Sequence, residues 1–328
     1  MKPLLSLEQV SVRFPLRGRR SLTAVDRVDL QIFEGETLGL IGESGSGKST
    51  VARALVGLAP IHEGIVRFEG QDVSKFMKRD RRDFSEKVQM VFQDPHSALD
   101  PRRTILQSVR EPLDVMKRGT TSTRRRVAMK ALDDVGLAEH LALRYPHQLS
   151  GGQKQRANIA RALVTKPKIL ICDESVAALD VALQAEMLNL LGDLKKEYEL
   201  SVMFISHDLA VVGHISDRIN VMYLGEIVEK ASTDLIMERP GHPYTEALLS
   251  AQPNVRAVRD SPRIVLKGDI PSPVSPPSGC RFRTRCPHAI ATCGDERPRL
   301  MEVSPGRSTA CFRVMELYPH IAGFKMPR

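Results

Sequence analysis

Apolar and polar residues alternate at the start of the chain, with Leu5, Leu7, Val10, Val12 and Phe14 in one run and Val25, Val28, Leu30 and Ile32 in the next. This period-two pattern predicts two half-buried strands, joined through the basic, glycine-containing stretch Arg17-Gly18-Arg19-Arg20. A strand pair around Gly64–Gly70 continues the antiparallel region. Leu38-Gly39-Leu40-Ile41 reads as a buried strand and Ser49–Leu55 as a helix, and Lys87–Phe92 predicts another strand ending at Gln93. From Asp94 to about Ser150 the chain turns polar and helical, with helical patterns at Ile105–Val109 and Val127–Val135 before Gly136. A helix over Gln153–Thr165, a strand at Lys168–Cys172, a helix over Ala182–Tyr198, a strand at Val202–Ile205 and a helix opening at Asp208 follow. Strands alternating with helices predict a parallel sheet covered on both faces. Beyond Arg239-Pro240-Gly241 proline is frequent, as in Pro271-Ser272-Pro273 and Ser275-Pro276-Pro277, which reads as an ordered appendage or a linker.

The net charge of +9 gathers at Arg17–Arg20, Lys78–Arg82 and Arg124–Arg126. It suits nucleic acid, an anionic membrane surface or plain solvated loops. With no Trp and five Tyr, the chain lacks the aromatic platforms that single-stranded nucleic acid stacks on. No apolar run reaches the roughly 18–20 residues of a membrane span. The start, Met1–Glu8, shows no signal peptide, so the chain is expected to stay in the cytoplasm. Of five cysteines, Cys280, Cys286, Cys293 and Cys311 crowd near the end, and a cytoplasmic setting favours a metal or iron–sulfur role for them over disulfides. Cys172, inside the run Ile169-Leu170-Ile171-Cys172, reads as a small buried hydrophobe.

The densest chemistry lies in Gly42-Glu43-Ser44-Gly45-Ser46-Gly47-Lys48-Ser49, which matches the phosphate-binding P-loop and leads into Thr50. A triphosphate needs converging backbone N–H groups, which Gly42, Gly45 and Gly47 allow to approach. The following helix adds its positive end, and Lys48 a full charge. Asp173-Glu174 closes an apolar strand with two carboxylates. Asp173 is placed to hold Mg²⁺ opposite the Ser49 hydroxyl, and Glu174 to polarise an attacking water. A second anion-directed element, Leu149-Ser150-Gly151-Gly152-Gln153, opens a helix with exposed N–H groups. One nucleotide hardly needs both elements unless they come from different subunits.

In this order the motifs resemble those of the ATP-binding subunits of ABC transporters, whose signature is LSGGQ. The resemblance implies an α/β fold: a P-loop (RecA-like) core with a mainly parallel sheet, an N-terminal antiparallel β subdomain and an inserted helical subdomain. It divides the chain into a nucleotide-binding domain over 1–238, its helical part at about 94–150, and a small cysteine-containing extension over 239–328. It also implies roles for single residues. Phe14 stacks on adenine, and Gln93 senses Mg²⁺ and the attacking water and links the site to the membrane partner. Asp180 belongs to a loop crossing to the opposite site, and His207 is the switch histidine at the γ-phosphate. Two positions depart from the family pattern: Ser175 stands where proline usually follows the glutamate, and Ala177 where a serine usually opens the crossing loop. Neither removes a catalytic group, but the missing hydroxyl at Ala177 bears on communication between sites.

Gly241–Ser250, Pro271-Ser272-Pro273, Pro277–Phe282 and Arg285-Cys286-Pro287 resemble the region after the core in dipeptide and oligopeptide permease ATPases. By that resemblance Cys280, Cys286, Cys293 and Cys311 are ligands of a 4Fe-4S cluster, with zinc the alternative. Their spacing lacks the C-x2-C knuckle of structural zinc. The cluster would fasten a tail too poor in apolar residues to pack itself, in a core separate from the nucleotide residues, with Arg281, Arg283 and Arg285 offsetting its charge. The implied protein is an ATPase on the cytoplasmic face of the membrane. It pairs head to tail with a second, homologous ATPase subunit, docks under two permease subunits, and works indirectly with an extracytoplasmic solute-binding protein. Nickel or short glycans are alternative solutes. A DNA-maintenance ATPase would carry a long heptad insertion and a translation factor two P-loops. The chain has neither, so no nucleic-acid partner is expected.

Overall fold

The computed structural model describes residues 2–17, 21–94, 98–177, 179–251 and 264–321. In chain order the elements begin with β1 (Leu5–Pro15), β2 (Ser21–Ile32), β3 (Thr37–Ile41), α1 (Lys48–Leu55), β4 (Glu63–Phe68), β5 (Gln71–Asp72), α2 (Val73–Lys87) and β6 (Val88–Val91). Then come α3 (Ile105–Met116), α4 (Thr121–Asp134), α5 (Gly151–Leu163), β7 (Ile169–Asp173), α6 (Val181–Glu197) and β8 (Ser201–Ser206). The rest are α7 (Leu209–Ile215), β9 (Arg218–Tyr223), β10 (Glu226–Ser232), α8 (Thr233–Glu238), α9 (Pro243–Ser250), α10 (Thr292–Asp295), β11 (Met301–Ser304), β12 (Arg307–Thr309) and α11 (Val314–Leu317). Among these residues no helix is long and apolar enough to cross a membrane.

The chain forms two compact units, one of Met1–Pro3, Ile32–Glu36 and Gly70–Ile205, the other of Leu4–Gln31, Thr37–Glu69 and Ser206–Arg328. Residues from both ends of the chain share the second unit.

In the first unit β6, β7 and β8 pair in parallel, with Val88 opposite Ile169 and Ile169 opposite Ser201. All five residues of β7 are buried, as a strand covered on both faces requires. The polar segment becomes α3, α4 and α5, each opened by a hydroxyl cap: Thr104, Thr120 and Ser150 accept from the backbone N–H three residues on. Such a cap contributes about 1 kcal/mol. One helix escapes the alternation signal. Helix α2 is too charged to show a clear apolar stripe, and it is broken at Asp80, which has non-helical angles.

In the second unit β1 lies between β2 and β4, paired antiparallel to β4 with Leu7 opposite Val66. A further sheet portion runs β11-β12-β10-β9-β3, with β3 parallel to β9 and the others antiparallel. Helix α7 packs onto β3 at Gly39, where a Cβ would come 2.3 Å from Val212 Cγ1. Helix α1 buries Val51, Ala52, Ala54 and Leu55; Val51 and Leu55 each contribute about 1.5–3 kcal/mol by burial.

The tail corrects an expectation. It does pack: β12 adds to the edge of β10, with Glu229 opposite Thr309, and Val303, Val314, Tyr318 and Ile321 form an apolar cluster. A sheet edge supplies backbone hydrogen bonds whatever the side chains, so few apolar residues suffice.

Candidate functional site

The second unit carries the phosphate loop between β3 and α1. Gly42, Gly45 and Gly47 have positive φ, and Gly47, at φ 107°, caps α1. A Cβ would meet the Met222 carbonyl oxygen at 2.1 Å from Gly42 and the Ala24 carbonyl oxygen at 2.3 Å from Gly47. Only glycine fits those two positions. Glu43, Ser44 and Ser46 fill the turn between them, closed by Ser46 N–H donating to the Glu43 carbonyl at 3.1 Å. Lys48 is 4% exposed and donates Nζ to the carbonyls of Gly42 at 2.8 Å and Glu43 at 3.0 Å. Ser49 and Thr50 stand half-buried in the first turn of α1. Loop, helix end and cation together make a cradle for a polyanion. In the same unit Phe14 is half-buried near the end of β1, and His207 is exposed just before Asp208, the cap of α7.

The first unit carries the carboxylates. Asp173, the last residue of β7, is buried. The β6–β7 register sets Val91 opposite Cys172, which brings Gln93 level with Glu174 two residues on. Gln93 Nε2 donates to Glu174 Oε2 at 2.6 Å. Glu174 adopts φ 47°, and its N–H donates to the Ile205 carbonyl at 3.0 Å. A non-glycine residue held left-handed costs about 1 kcal/mol or more, and such strain gathers at functional positions. Ser175 is buried and Ala177 half-buried beside it, and burial pushes the Cys172 thiol up to about 12, as a small inert hydrophobe requires. Also in this unit, Gln153 Oε1 accepts from Ser150 N–H at 3.0 Å, completing the capping box of α5. A Cβ at Gly151 or Gly152 would find only ordinary contacts, at 3.9 Å to Leu179 and 3.6 Å to Leu183. Among the described residues, nothing requires glycine there. Asp180 caps α6, accepting from Leu183 N–H at 3.0 Å. Pro95, His96 and Ser97, next to Gln93, lie outside the described residues.

Sequence spacing missed a second set of contacts. Arg285 forks onto Glu43 of the phosphate loop at 2.6 and 3.0 Å, and the Glu43 N–H donates to Tyr244 Oη at 2.8 Å. Arg281 donates to Asp26 and to the Leu224 carbonyl, and Arg297 bridges Asp26 and Glu226 at 3.0 Å each. Burial pushes the Asp26 carboxyl up, but Arg281 and Arg297 outweigh it and hold it below the ordinary range. The expected separation of the tail from the nucleotide residues is therefore overturned for the phosphate loop, since both belong to one unit and touch. So is the expected role of Arg281 and Arg285, which neutralise carboxylates; Arg283 donates to the Ser278 carbonyl. Residues 242 apart leave no local signal of this pairing.

Cys280, Cys286, Cys293 and Cys311 line one cavity of about 20 Å³. Backbone N–H groups of Phe282, His288 and Arg313 reach the sulfurs of Cys280, Cys286 and Cys311. An all-thiol set served by N–H donors suits a soft metal centre. Among the described residues, however, no three His, Cys, Asp or Glu stand close enough to hold a metal ion. The expected 4Fe-4S cluster is thus not shown. Burial raises these thiols, Cys280 to about 12 and Cys311 to about 11.

Comparison with known proteins bears directly on this arrangement. The family model described as "ABC transporter" matches residues 25–177, and "Oligopeptide/dipeptide transporter, C-terminal region" matches 228–293. The chain is 46% identical over 314 residues to the putative oligopeptide transport ATP-binding protein YkfD of Bacillus subtilis (strain 168), covering 94% of this chain and 95% of that one. The chain belongs to the ABC transporter family. Another member, the oligopeptide transport ATP-binding protein OppF of Salmonella typhimurium, is 46% identical over 325 residues, covering 95% of this chain and 97% of its own. Among solved structures, the dimeric bacterial ABC transporter cassette MJ0796 superposes with TM-score 0.64 at 32% identity, covering 70% of this chain and 98% of that one. The chain shares the fold of that cassette, α/β, and its own N-terminal sheet pairs β1 with β4 antiparallel.

Proposed function

We propose that the chain is the ATP-hydrolysing subunit of a peptide importer. The observation that carries hydrolysis is the Gln93–Glu174 bond beside buried Asp173, a carboxylate held ready for water. The match of residues 228–293 to the oligopeptide and dipeptide transporter region supports the peptide class, ahead of nickel or short glycans.

In this reading Gly42–Thr50 bind the phosphates through N–H groups and Lys48, and Phe14 takes the adenine. Glu174 accepts the proton of the attacking water, with Gln93 orienting it, and His207 contacts the γ-phosphate. Ser49, Gln93 and Asp173 are oxygen donors of the type Mg²⁺ takes; the ion, when bound, neutralises phosphate charge. Ser150, Gly151, Gly152 and Gln153 serve a nucleotide held by the partner subunit, with Asp180 in the crossing loop. The ordinary contacts a Cβ would make at Gly151 and Gly152 support that reading, since among the described residues none comes close enough to need glycine there. A head-to-tail dimer follows, docked on the cytoplasmic face under two permease subunits and fed by a solute-binding protein.

Uptake of a labelled tripeptide tests the function. Cells lacking the gene should lose most of it, and the wild-type chain but not Glu174→Gln should restore it. Unchanged uptake in the deletion strain, with labelled nickel or a glycan lost instead, would reassign the solute.

The four-cysteine cavity is proposed to hold the 4Fe-4S cluster through Cys280, Cys286, Cys293 and Cys311, where it would cross-link the tail. Anaerobically purified protein should be brown with roughly four iron and four sulfide per chain. Serine at any of the four should bleach it, and Cys172→Ser should not. A colourless protein with a single zinc would overturn the assignment.

A further inference from the structure

The segment from Cys280 to Cys286 does more than line the cysteine cavity. Three of its intervening side chains, Arg281, Phe282 and Arg285, meet the phosphate loop or residues packed beside it in the second unit. Arg281 is 4% exposed and binds Asp26 and the Leu224 carbonyl, next to Gly225, whose N–H donates to the Ser46 carbonyl at 2.8 Å. Phe282 is 1% exposed and meets the rings of Tyr223 and Tyr244 edge-on or tilted, at centroid distances of 5.2 and 5.4 Å. Arg285, 8% exposed, forks onto Glu43. Tyr244, fully buried, accepts from the Glu43 N–H.

Glu43 is thereby gripped at both side chain and backbone, and its carbonyl is one of the two that receive Lys48 Nζ. A P-loop works only when its N–H groups converge before the anion arrives, since ordering them at the moment of binding subtracts from affinity. We infer that Arg285 and Tyr244 are positioning residues for the phosphate cradle, so that the strap between Cys280 and Cys286 sets the affinity of the P-loop for nucleotide.

A two-point bidentate ion pair, its Arg285 side 8% and its Glu43 side 24% exposed, is the stronger of the two contacts. The Tyr244 hydroxyl is a single neutral bond and should matter less. The inference rests on the proposed nucleotide role of the P-loop, and the experiment separates the two.

The probe is a fluorescent ATP analogue, titrated with Mg²⁺ into the full chain, with circular dichroism and melting temperature recorded for every variant. If the wild type binds no analogue, the nucleotide reading itself fails. With wild-type binding in hand, Arg285→Ala should weaken the analogue about tenfold, Arg285→Lys by an intermediate amount because the charge stays and the fork is lost, and Tyr244→Phe about threefold. Glu43→Ala should match Arg285→Ala, and the double variant should be no weaker than either single one. The exchange Glu43→Arg with Arg285→Glu should recover part of the affinity. Wild-type affinity in a folded Arg285→Ala, or additive losses in the double variant, would overturn the proposal. Loss of melting temperature in step with affinity, without recovery in the exchanged pair, would reduce Arg285 to a structural residue and overturn it as well.

Discussion

Glu174→Gln should lower phosphate release by about 10²–10⁴-fold, the range a general base supplies, while the Mg²⁺–nucleotide complex still binds. The substitution keeps the shape of the side chain and its bond to Gln93 Nε2, because an amide oxygen can accept as the carboxylate does. What it removes is the negative charge that takes the proton from water. ATP should therefore accumulate unhydrolysed, and with it the closed dimer, visible as a mass doubling by gel filtration in ATP. The φ of 47° at this position must be met by the new residue too, so a melting curve accompanies the assay. Undiminished turnover in a folded Glu174→Gln would exclude Glu174 as the base.

Lys48→Ala should act at the other step. Lys48 is buried and its ammonium rests on two carbonyl oxygens of the loop, so its charge is aimed where the phosphates bind. Removing one such charge-assisted contact costs about 1.5–3 kcal/mol, or roughly 10–100-fold in affinity. The fluorescent ATP analogue should bind at least tenfold more weakly to Lys48→Ala, whereas Glu174→Gln should bind it as tightly as the wild type. Equal affinity in Lys48→Ala would mean that the loop holds something other than a phosphate chain.

The two predictions differ in how readily the residues could be found. Gly42–Ser49 lie within one turn, and steric demand explains the glycines: carbonyls of Met222 and Ala24 sit where side chains would begin at Gly42 and Gly47. Asp173-Glu174 is legible as an apolar strand ending in charge, and the parallel register then decides that Gln93 meets Glu174. Gly151 and Gly152 are legible for the opposite reason, as a motif whose glycines no contact among the described residues explains. The tail was misread because its apolar residues are few and scattered. Counting them ignores the backbone hydrogen bonds that β12 makes at the edge of β10.

By itself the sequence determined the alternating strands and helices, the phosphate loop and the paired carboxylates, because each depends on residues within a few positions of one another. Tertiary structure alone decided that Arg285 and Tyr244 hold Glu43, and that Arg281 and Arg297 converge on Asp26. Those partners are more than two hundred residues apart in the chain, so no periodicity or local propensity connects them. They meet because β3, β9 and β10 set the phosphate loop and the returning tail in one compact unit, where each buried guanidinium needs a carboxylate partner.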